Sequence, residues 1–277
     1  MISDRELSRL VERSEARACL DMVNVAPPDV ASALGMLVES IGGGTVFVTP
    51  GFSHLAYNRA LAFGFDEPHT EPELDTMLAC FRRDVCFTIQ PSPFARPSSI
   101  GDWLVARGFP PRTSWVKWVR DAHQPLREWH TDLDVRVVTP ADARAFADLS
   151  CAIFHEEPVA PCLAAAVSLP WWRIYLAFDG EQPVATGVLH VADEIGWLGW
   201  GATLESHRKR GAQSALIAAR IRDARAMGCR WINVETAPDT PEKPNPSYRN
   251  MERAGFRVLY MRPSHAWLPD RPPPVPD

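Results

Sequence analysis

The chain is short of several features that would place it in a class at once. No run of about 18 apolar residues occurs, so a membrane-spanning helix is not expected. The opening MISDRELSRLVERSEARACL lacks the basic-then-apolar pattern of a secretory leader. There is no CxxC pair: Cys19, Cys80, Cys86, Cys151, Cys162 and Cys229 are scattered, so zinc-site spacing is absent and no metal is expected. In a chain of 277 residues a disulfide framework is equally unexpected, and buried free thiols in a reducing cytoplasm are the plain reading. Neither a GxSxG elbow nor a GxxxxGK[ST] loop is present. Gly42-Gly43-Gly44-Thr45 has no lysine after it and leads into VFVT, so it reads as a turn before a strand. Positive charge is not in excess either: the formal charge of −5 argues against a bulk nucleic-acid binder.

What is present is ordinary globular material, 46% hydrophobic and 23% charged, long enough for two modest domains or one large one. VRVVTPADARAFADLSCAIF (135–154) reads as strand, turn at Thr139-Pro140, and helix. Segment 173–204 alternates apolar with small or polar residues, and Asp179-Gly180 and Ala192-Asp193 divide it into a three-strand meander. A helix follows from about Gly211 to Met227, with Leu216, Ile217, Ile221 and Ala224 on one face and Gly228 placed to end it. CRWINVET is a strand, PSYRNMERAGF a short helix closed by Gly255, and FRVLYMR a last strand.

The front half has a similar rhythm: strand 57–65, helix 71–84, strand 85–90, helix 97–109 with a glycine stop, and strand 113–121. Both halves end in helix-Gly-Phe-strand-Trp (WLVARGFPPRTSW beside MERAGFRVLYMRPSHAW), which favours an internal duplication joined near the polar segment 121–134. The proline-rich LPDRPPPVPD (268–277) is a tail with no core of its own.

The junction SHRKRGAQSALIAARI (206–221) carries the chemistry. A helix N-terminus exposes unpaired N–H groups and about half a positive charge, and a glycine there lets a bulky anion approach the backbone. Arg208, Lys209 and Arg210 add charge beside those donors, which suits a phosphate or pyrophosphate. By itself the pattern also fits a solvated basic turn. The loop follows an antiparallel meander, so a Rossmann or P-loop unit fits poorly.

In this context the sequence resembles the GNAT superfamily of N-acetyltransferases, whose hallmark is a strand, then [RQ]-x-x-G-x-[GA], then a helix. Arg208-Lys209-Arg210-Gly211-Ala212-Gln213 fills the motif, except that Gln213 stands where glycine or alanine is usual. SYRNMERAGF (247–256) resembles the family's later short helix ending in Gly-Phe before a strand. The resemblance covers about 135–267. It implies an α+β fold of tandem GNAT-like domains, each a mixed, mostly antiparallel sheet flanked by helices. A degenerate copy without a CoA loop is expected over 1–125, an acetyltransferase domain over 134–267 and the tail over 268–277.

The same resemblance implies that acetyl-CoA is the cosubstrate, its pyrophosphate clasped by the amides from about Arg210 through Gly211, Ala212 and Gln213 to Ser214, with Arg208, Lys209 and Arg210 supplying charge. Strand residues Ala202, Thr203 and Leu204 would pair with the pantetheine arm, and the N–H of Thr203 or Leu204 would polarise the thioester carbonyl. Asn245 and Ser247 resemble positions that contact the CoA arm, with helix capping as the equal alternative. Many family members carry a tyrosine acid four residues before the Gly-Phe glycine; here that position is Met251, and Tyr248 is either its substitute or cleft packing.

For the base, Glu235 on CRWINVET and Glu205 after the cofactor strand are candidates, and both also suit surface ion pairs. Asn233 shares a strand face with Glu235 and is assigned with His155 and Glu156 to the acceptor side, although 155–157 also reads as a solvated helix end. In the front half Asp66, Glu67, Glu71 and Glu73 stand where a basic loop would be and would repel a pyrophosphate. The expected protein is a cytoplasmic acetyltransferase, monomer or homodimer, acting on a small-molecule or peptide amine, with neither nucleic acid nor membrane as partner. The alternative is a CoA-binding sensor or scaffold with impaired catalysis.

Overall fold

The computed structural model describes residues 2–270, so most of the expected tail, 271–277, lies outside the described residues. The elements in chain order are α1 (Asp4–Asn24), α2 (Pro28–Leu34), β1 (Leu37–Ile41), β2 (Gly44–Val48), β3 (Arg59–Leu61), α3 (Glu71–Ala79), β4 (Phe87–Ile89), α4 (Ile100–Ala106) and β5 (Thr113–Asp121). They continue with β6 (Asp134–Val137), α5 (Ala143–Phe154), α6 (Ala160–Ala166), β7 (Trp172–Asp179), β8 (Gln182–Ala192), β9 (Ile195–Thr203), α7 (Ala212–Ala226), β10 (Trp231–Thr236), α8 (Pro246–Arg253) and β11 (Arg257–Trp267). None of the described helices is long and apolar enough to cross a membrane.

The chain forms two compact units that are interleaved in sequence. One comprises Met1–Ala16, Ala31–Lys117 and Leu259–Asp277; the other comprises Arg17–Val30 and Trp118–Val258. Residues 17–30, 118–125 and 259–267 thus fall on the other side of the expected division into 1–125 and 134–267. Most of β11 belongs with the front unit because it pairs antiparallel with β4, His265↔Ile89 to Trp267↔Phe87. That pairing also makes the last strand longer than FRVLYMR alone suggests.

In the first unit β1 and β2 form a hairpin across Gly42 and Gly43, both at positive φ, which is the turn expected of the glycine run. β3 is antiparallel to β2 and parallel to β4, with α3 between the parallel strands. Val46, Phe63, Leu74, Met77 and Phe87 fill the core under α3. Strand 57–65 is cut to three residues because Ala62 and Gly64 take left-handed backbone conformations. Helix 71–84 stops at Ala79, ahead of a local Arg82–Asp84 ion pair.

A charged cluster lies inside this unit. Glu15, fully buried, accepts hydrogen bonds from Lys117 Nζ (2.6 Å), Arg262 Nη1 (2.8 Å) and Arg59 Nη1 (2.8 Å). Glu12 accepts from Tyr260 Oη (2.6 Å) and from Arg262 Nη1 (2.9 Å).

In the second unit β6, β7, β8 and β9 run antiparallel in sequence order, and β10 joins β9 in parallel through α7. Strand–helix–parallel strand is therefore the connection used in both units. Each sheet is mixed and mostly antiparallel and the architecture is α+β, as expected. α7 packs on β7, β8 and β9, and α5 on β8 and β9. Leu216, Ile217, Ile221 and Ala224 are buried, so the face read from helical spacing is the face that packs. Gly228 and Gly255 end α7 and α8 at positive φ. All six cysteines are free. Burial pushes the Cys151 thiol up to about 12 and those of Cys162 and Cys229 to about 11, which leaves them inert.

Candidate active site

The site begins in β9, IGWLGWGAT, where glycines alternate with tryptophan. β10 pairs with this strand from Trp231↔Ile195 to Val234↔Leu198 and no further. β9 runs on to Thr203, still held on its other side by β8 through Ala185↔Thr203. From Gly199 to Thr203 one edge of β9 thus has no strand partner among the described residues.

The parting coincides with a bulge: β8 partners shift from Val188↔Gly199 to Thr186↔Ala202, one residue more on β9, and Trp200 sits at φ +43°. Several groups brace it. Thr186 Oγ1 donates to the Trp200 carbonyl (2.7 Å), and Trp200 Nε1 donates to Glu156 Oε2 (3.0 Å). Buried Arg220 of α7 reaches the carbonyls of Val188 and Gly199 at 3.4 Å each. It fits because Gly187 has no side chain: a Cβ there would lie 2.9 Å from the guanidinium carbon.

Strand alternation then decides which amide faces the opening. The Leu204 N–H donates to the Val184 carbonyl (2.9 Å), so the neighbouring Thr203 N–H points to the open edge. Of the two residues expected to polarise a thioester, Leu204 is ruled out because its donor is already used.

Beyond β9 the chain makes a single 3₁₀ turn, Glu205–His207, and enters α7 through Lys209 (φ +66°) and Gly211 (φ +83°). Glycine has no side chain with which to cap α7, so the first-turn amides from Gly211 through Ala212 and Gln213 to Ser214 keep their N–H groups available. The loop is pinned from outside: Thr131 Oγ1 donates to the Arg210 carbonyl (2.7 Å), and a Cβ at Gly211 would lie 2.6 Å from the His130 carbonyl oxygen.

Arg210, expected to bring charge to phosphates, instead has its guanidinium paired with Asp132 and with Asp179 (2.6 Å). Hydrogen bonds from Arg210 hold both carboxyls below the ordinary aspartate range. Its side chain anchors the loop, and the exposed cations are Arg208 and Lys209. Gln213, in the place of the usual glycine or alanine, turns its Nε2 onto the carbonyls of Ala202 (2.7 Å) and Thr186 (3.2 Å). It thereby ties the start of α7 to the open strand.

α8 follows β10 in the chain. Asn245 caps it, accepting from the Ser247 N–H (3.0 Å) and donating to the Ala237 carbonyl (2.6 Å), so capping is the reading the geometry supports for both residues. Tyr248, half-buried, sets its ring edge-on to Trp118 at 4.6 Å, and Trp118 Nε1 donates to Thr236 Oγ1 at the end of β10. Met251 is buried.

Two further expectations need correction. The Glu205 side chain is 89% exposed, 3.6 Å from Arg208, a solvated turn residue and not a wall of the opening. Asn233 is fully buried and donates to the Gly196 carbonyl (3.0 Å), stitching the parallel pair together. Glu235 is half-buried, one residue past the last β9–β10 pair. His155 is the exposed left-handed cap of α5, and the next residue, Glu156, turns inward to Trp200. Trp200, Arg220 and Thr186 were not singled out from the sequence; the close-set glycines 199 and 201 around a tryptophan were the available sign of a bulge.

Residues 143–256 match the model of the acetyltransferase (GNAT) family. Among solved structures, the GCN5-related N-acetyltransferase from Kribbella flavida aligns at 17% identity and TM-score 0.58, covering 90% of this chain and 93% of that one. The GCN5-related N-acetyltransferase from Sphaerobacter thermophilus aligns at 16% identity and TM-score 0.57, over 80% and 79%. At such identities the likeness is one of fold. No curated protein matches. The family match, the parted parallel strands and the glycine-led helix agree: residues 143–256 form a domain of the GNAT acetyltransferase family.

Proposed function

We propose that this protein transfers an acetyl group from acetyl-CoA to an amine. The observation that carries the reading is the continuity of the open β9 edge with the uncapped N-terminus of α7. One end offers strand-type hydrogen bonds to the amides of a pantetheine arm; the other offers helix amides to a pyrophosphate, with Arg208 and Lys209 beside them. The Thr203 N–H, facing the opening, would polarise the thioester carbonyl and stabilise the charge that develops on its oxygen. The amine must arrive neutral and close to that carbon. A thiolate of pKa about 8.5 leaves with only modest help from an acid near neutral pH.

Among its described residues the first unit has no comparable loop. α3 is capped by Thr70 and Glu73, Glu71 pairs with Arg107 (2.9 Å), and Asp66 pairs with Arg9 (3.1 Å). We assign one CoA per chain and read this unit as a degenerate copy. The test is incubation of wild-type protein with acetyl-CoA and a panel of amines, following thiol release and acetylated product. Binding of acetyl-CoA without transfer to any amine would instead favour the sensor reading that Met251 suggests.

Tyr248 is the remaining candidate acid. Tyr248→Phe keeps the ring on Trp118 and removes only the hydroxyl. If the hydroxyl protonates the departing thiolate, turnover falls roughly 10²-fold with acetyl-CoA affinity unchanged. Wild-type single-turnover rates in the variant would assign Tyr248 to the cleft wall.

A further inference from the structure

A buried carboxylate stands where the parallel strands separate. After α5, His155 turns left-handed and the Glu156 N–H bonds back to the Cys151 carbonyl (3.1 Å), which swings the Glu156 side chain inward. The residue is 6% exposed and its Oε2 lies 3.0 Å from Nε1 of Trp200, the bulge residue at the parting of β9 and β10. Trp172 and Trp197 stand against the Trp200 ring at 5.9 and 5.6 Å between centroids.

This wall holds polar atoms with no hydrogen-bond partner among the described residues. Trp172 Nε1 and Trp197 Nε1 are buried without an acceptor. His190, fully buried, is tied through Nε2 to Asp21 Oδ2 (2.8 Å), and its Nδ1 has no hydrogen-bond partner. Buried polar atoms are normally satisfied, so unsatisfied ones grouped beside a bulge point to a ligand. The corner is also negative: after burial itself, Glu156, Glu157 and Asp148 are what raise the Cys151 thiol. A carboxylate on the N–H edge of one indole, which two further indoles flank, suits a cation that donates hydrogen bonds, and the unpaired indole N–H groups suit an oxygen on the same ligand.

We infer that Glu156 binds the ammonium group of the acceptor and takes its proton, making Glu156 a catalytic residue. The inference rests on the acetyl-transfer reading. The ammonium gives one proton to a Glu156 oxygen, and the freed nitrogen lone pair forms the C–N bond at the thioester carbon. The C–S bond breaks with its electron pair on sulfur, and the second nitrogen proton passes to the thiolate. Amide and CoA thiol result, and Glu156 releases its proton to solvent. The acceptor class is a primary amine on an apolar or aromatic carrier; an amine bearing a carboxylate next to the nitrogen is disfavoured by Glu156 and Glu157.

The test compares Glu156→Gln with Glu235→Gln, using an amine that wild type acetylates. Glu156→Gln is expected to lower kcat/KM roughly 10²- to 10⁴-fold, with acetyl-CoA affinity within about twofold of wild type. Glu235→Gln is expected to lower it by less than about tenfold. Trp200→Phe, which removes the indole N–H that Glu156 accepts from, lowers kcat/KM by less than Glu156→Gln does, and acetyl-CoA affinity is unchanged. A Glu156→Gln enzyme with wild-type kcat/KM, a larger loss in Glu235→Gln than in Glu156→Gln, or wild-type kcat/KM in Trp200→Phe each overturns the assignment. Failure of the acetyl-transfer reading shows separately, as absence of transfer by wild type, and that result overturns the assignment as well.

Discussion

Glu15→Ala is expected to destabilise the first unit by about 3–5 kcal/mol, the loss typical of removing one partner from a buried ionic cluster. Lys117, Arg262 and Arg59 all direct donors at this one carboxylate, at 2.6, 2.8 and 2.8 Å. Without it, three cations stay among buried groups with one carboxylate of the cluster, Glu12, remaining. Burial by itself would raise the Glu15 carboxyl, but the fields of Arg262, Lys117 and Arg59 outweigh it and hold the group well below the ordinary value.

A carboxyl depressed on folding stabilises the native state above its unfolded pKa of about 4.3, and that contribution is lost as pH falls toward the folded value. Wild type should therefore lose stability below about pH 4, and Glu15→Ala should lack this part of the acid dependence. Urea unfolding with hydrogen exchange at the amides of α3 and β4 reads both effects. A loss below about 1 kcal/mol would show that the cluster relaxes around water.

Gly211→Val should lower affinity for acetyl-CoA by roughly 10²-fold. A non-glycine residue held left-handed costs about 1–3 kcal/mol, and valine is among the least tolerant of it. Here the added Cβ also meets the His130 carbonyl oxygen at 2.6 Å, so the loop must move and the first-turn amides of α7 lose their arrangement. Gly180→Ala is the control. Its backbone is also left-handed, but a Cβ there has nothing within 4 Å, and it lies in the β7–β8 turn. Calorimetry should find acetyl-CoA binding intact in Gly180→Ala and weakened in Gly211→Val. Equal affinities would remove the pyrophosphate from the start of α7.

Much of the second unit was legible because its signals are local. Alternation with two turn dipeptides specified the β7–β8–β9 meander, helical spacing with Gly228 specified α7, and Gly255 specified the end of α8. The basic junction and its glycine were likewise readable, since a helix N-terminus needs only its own residues to present free amides. In the front unit local signals misled where tertiary context intervened: α3 ended early, and the strand at 57–65 broke at Ala62 and Gly64. No local motif marks α1, although Glu12, Glu15 and Asp21 on it each serve a distant partner.

What the sequence by itself determined is the order of the elements of the second unit and the residue types at its junction. Only the tertiary structure decided which of those residues remain available for chemistry. Arg208, Lys209 and Arg210 look equivalent in the chain, yet Asp132 and Asp179, 78 and 31 positions away, take up Arg210 alone. Thr203 and Leu204 look equivalent, yet the pairing of Leu204 with Val184 leaves only the Thr203 amide facing the opening. Glu156 looks like a solvated helix end, yet the left-handed His155 and the Trp200 indole bury it. In each case a hydrogen-bonding group can serve only the partner the fold brings to it, and that partner lies too far along the chain for local pattern to reveal.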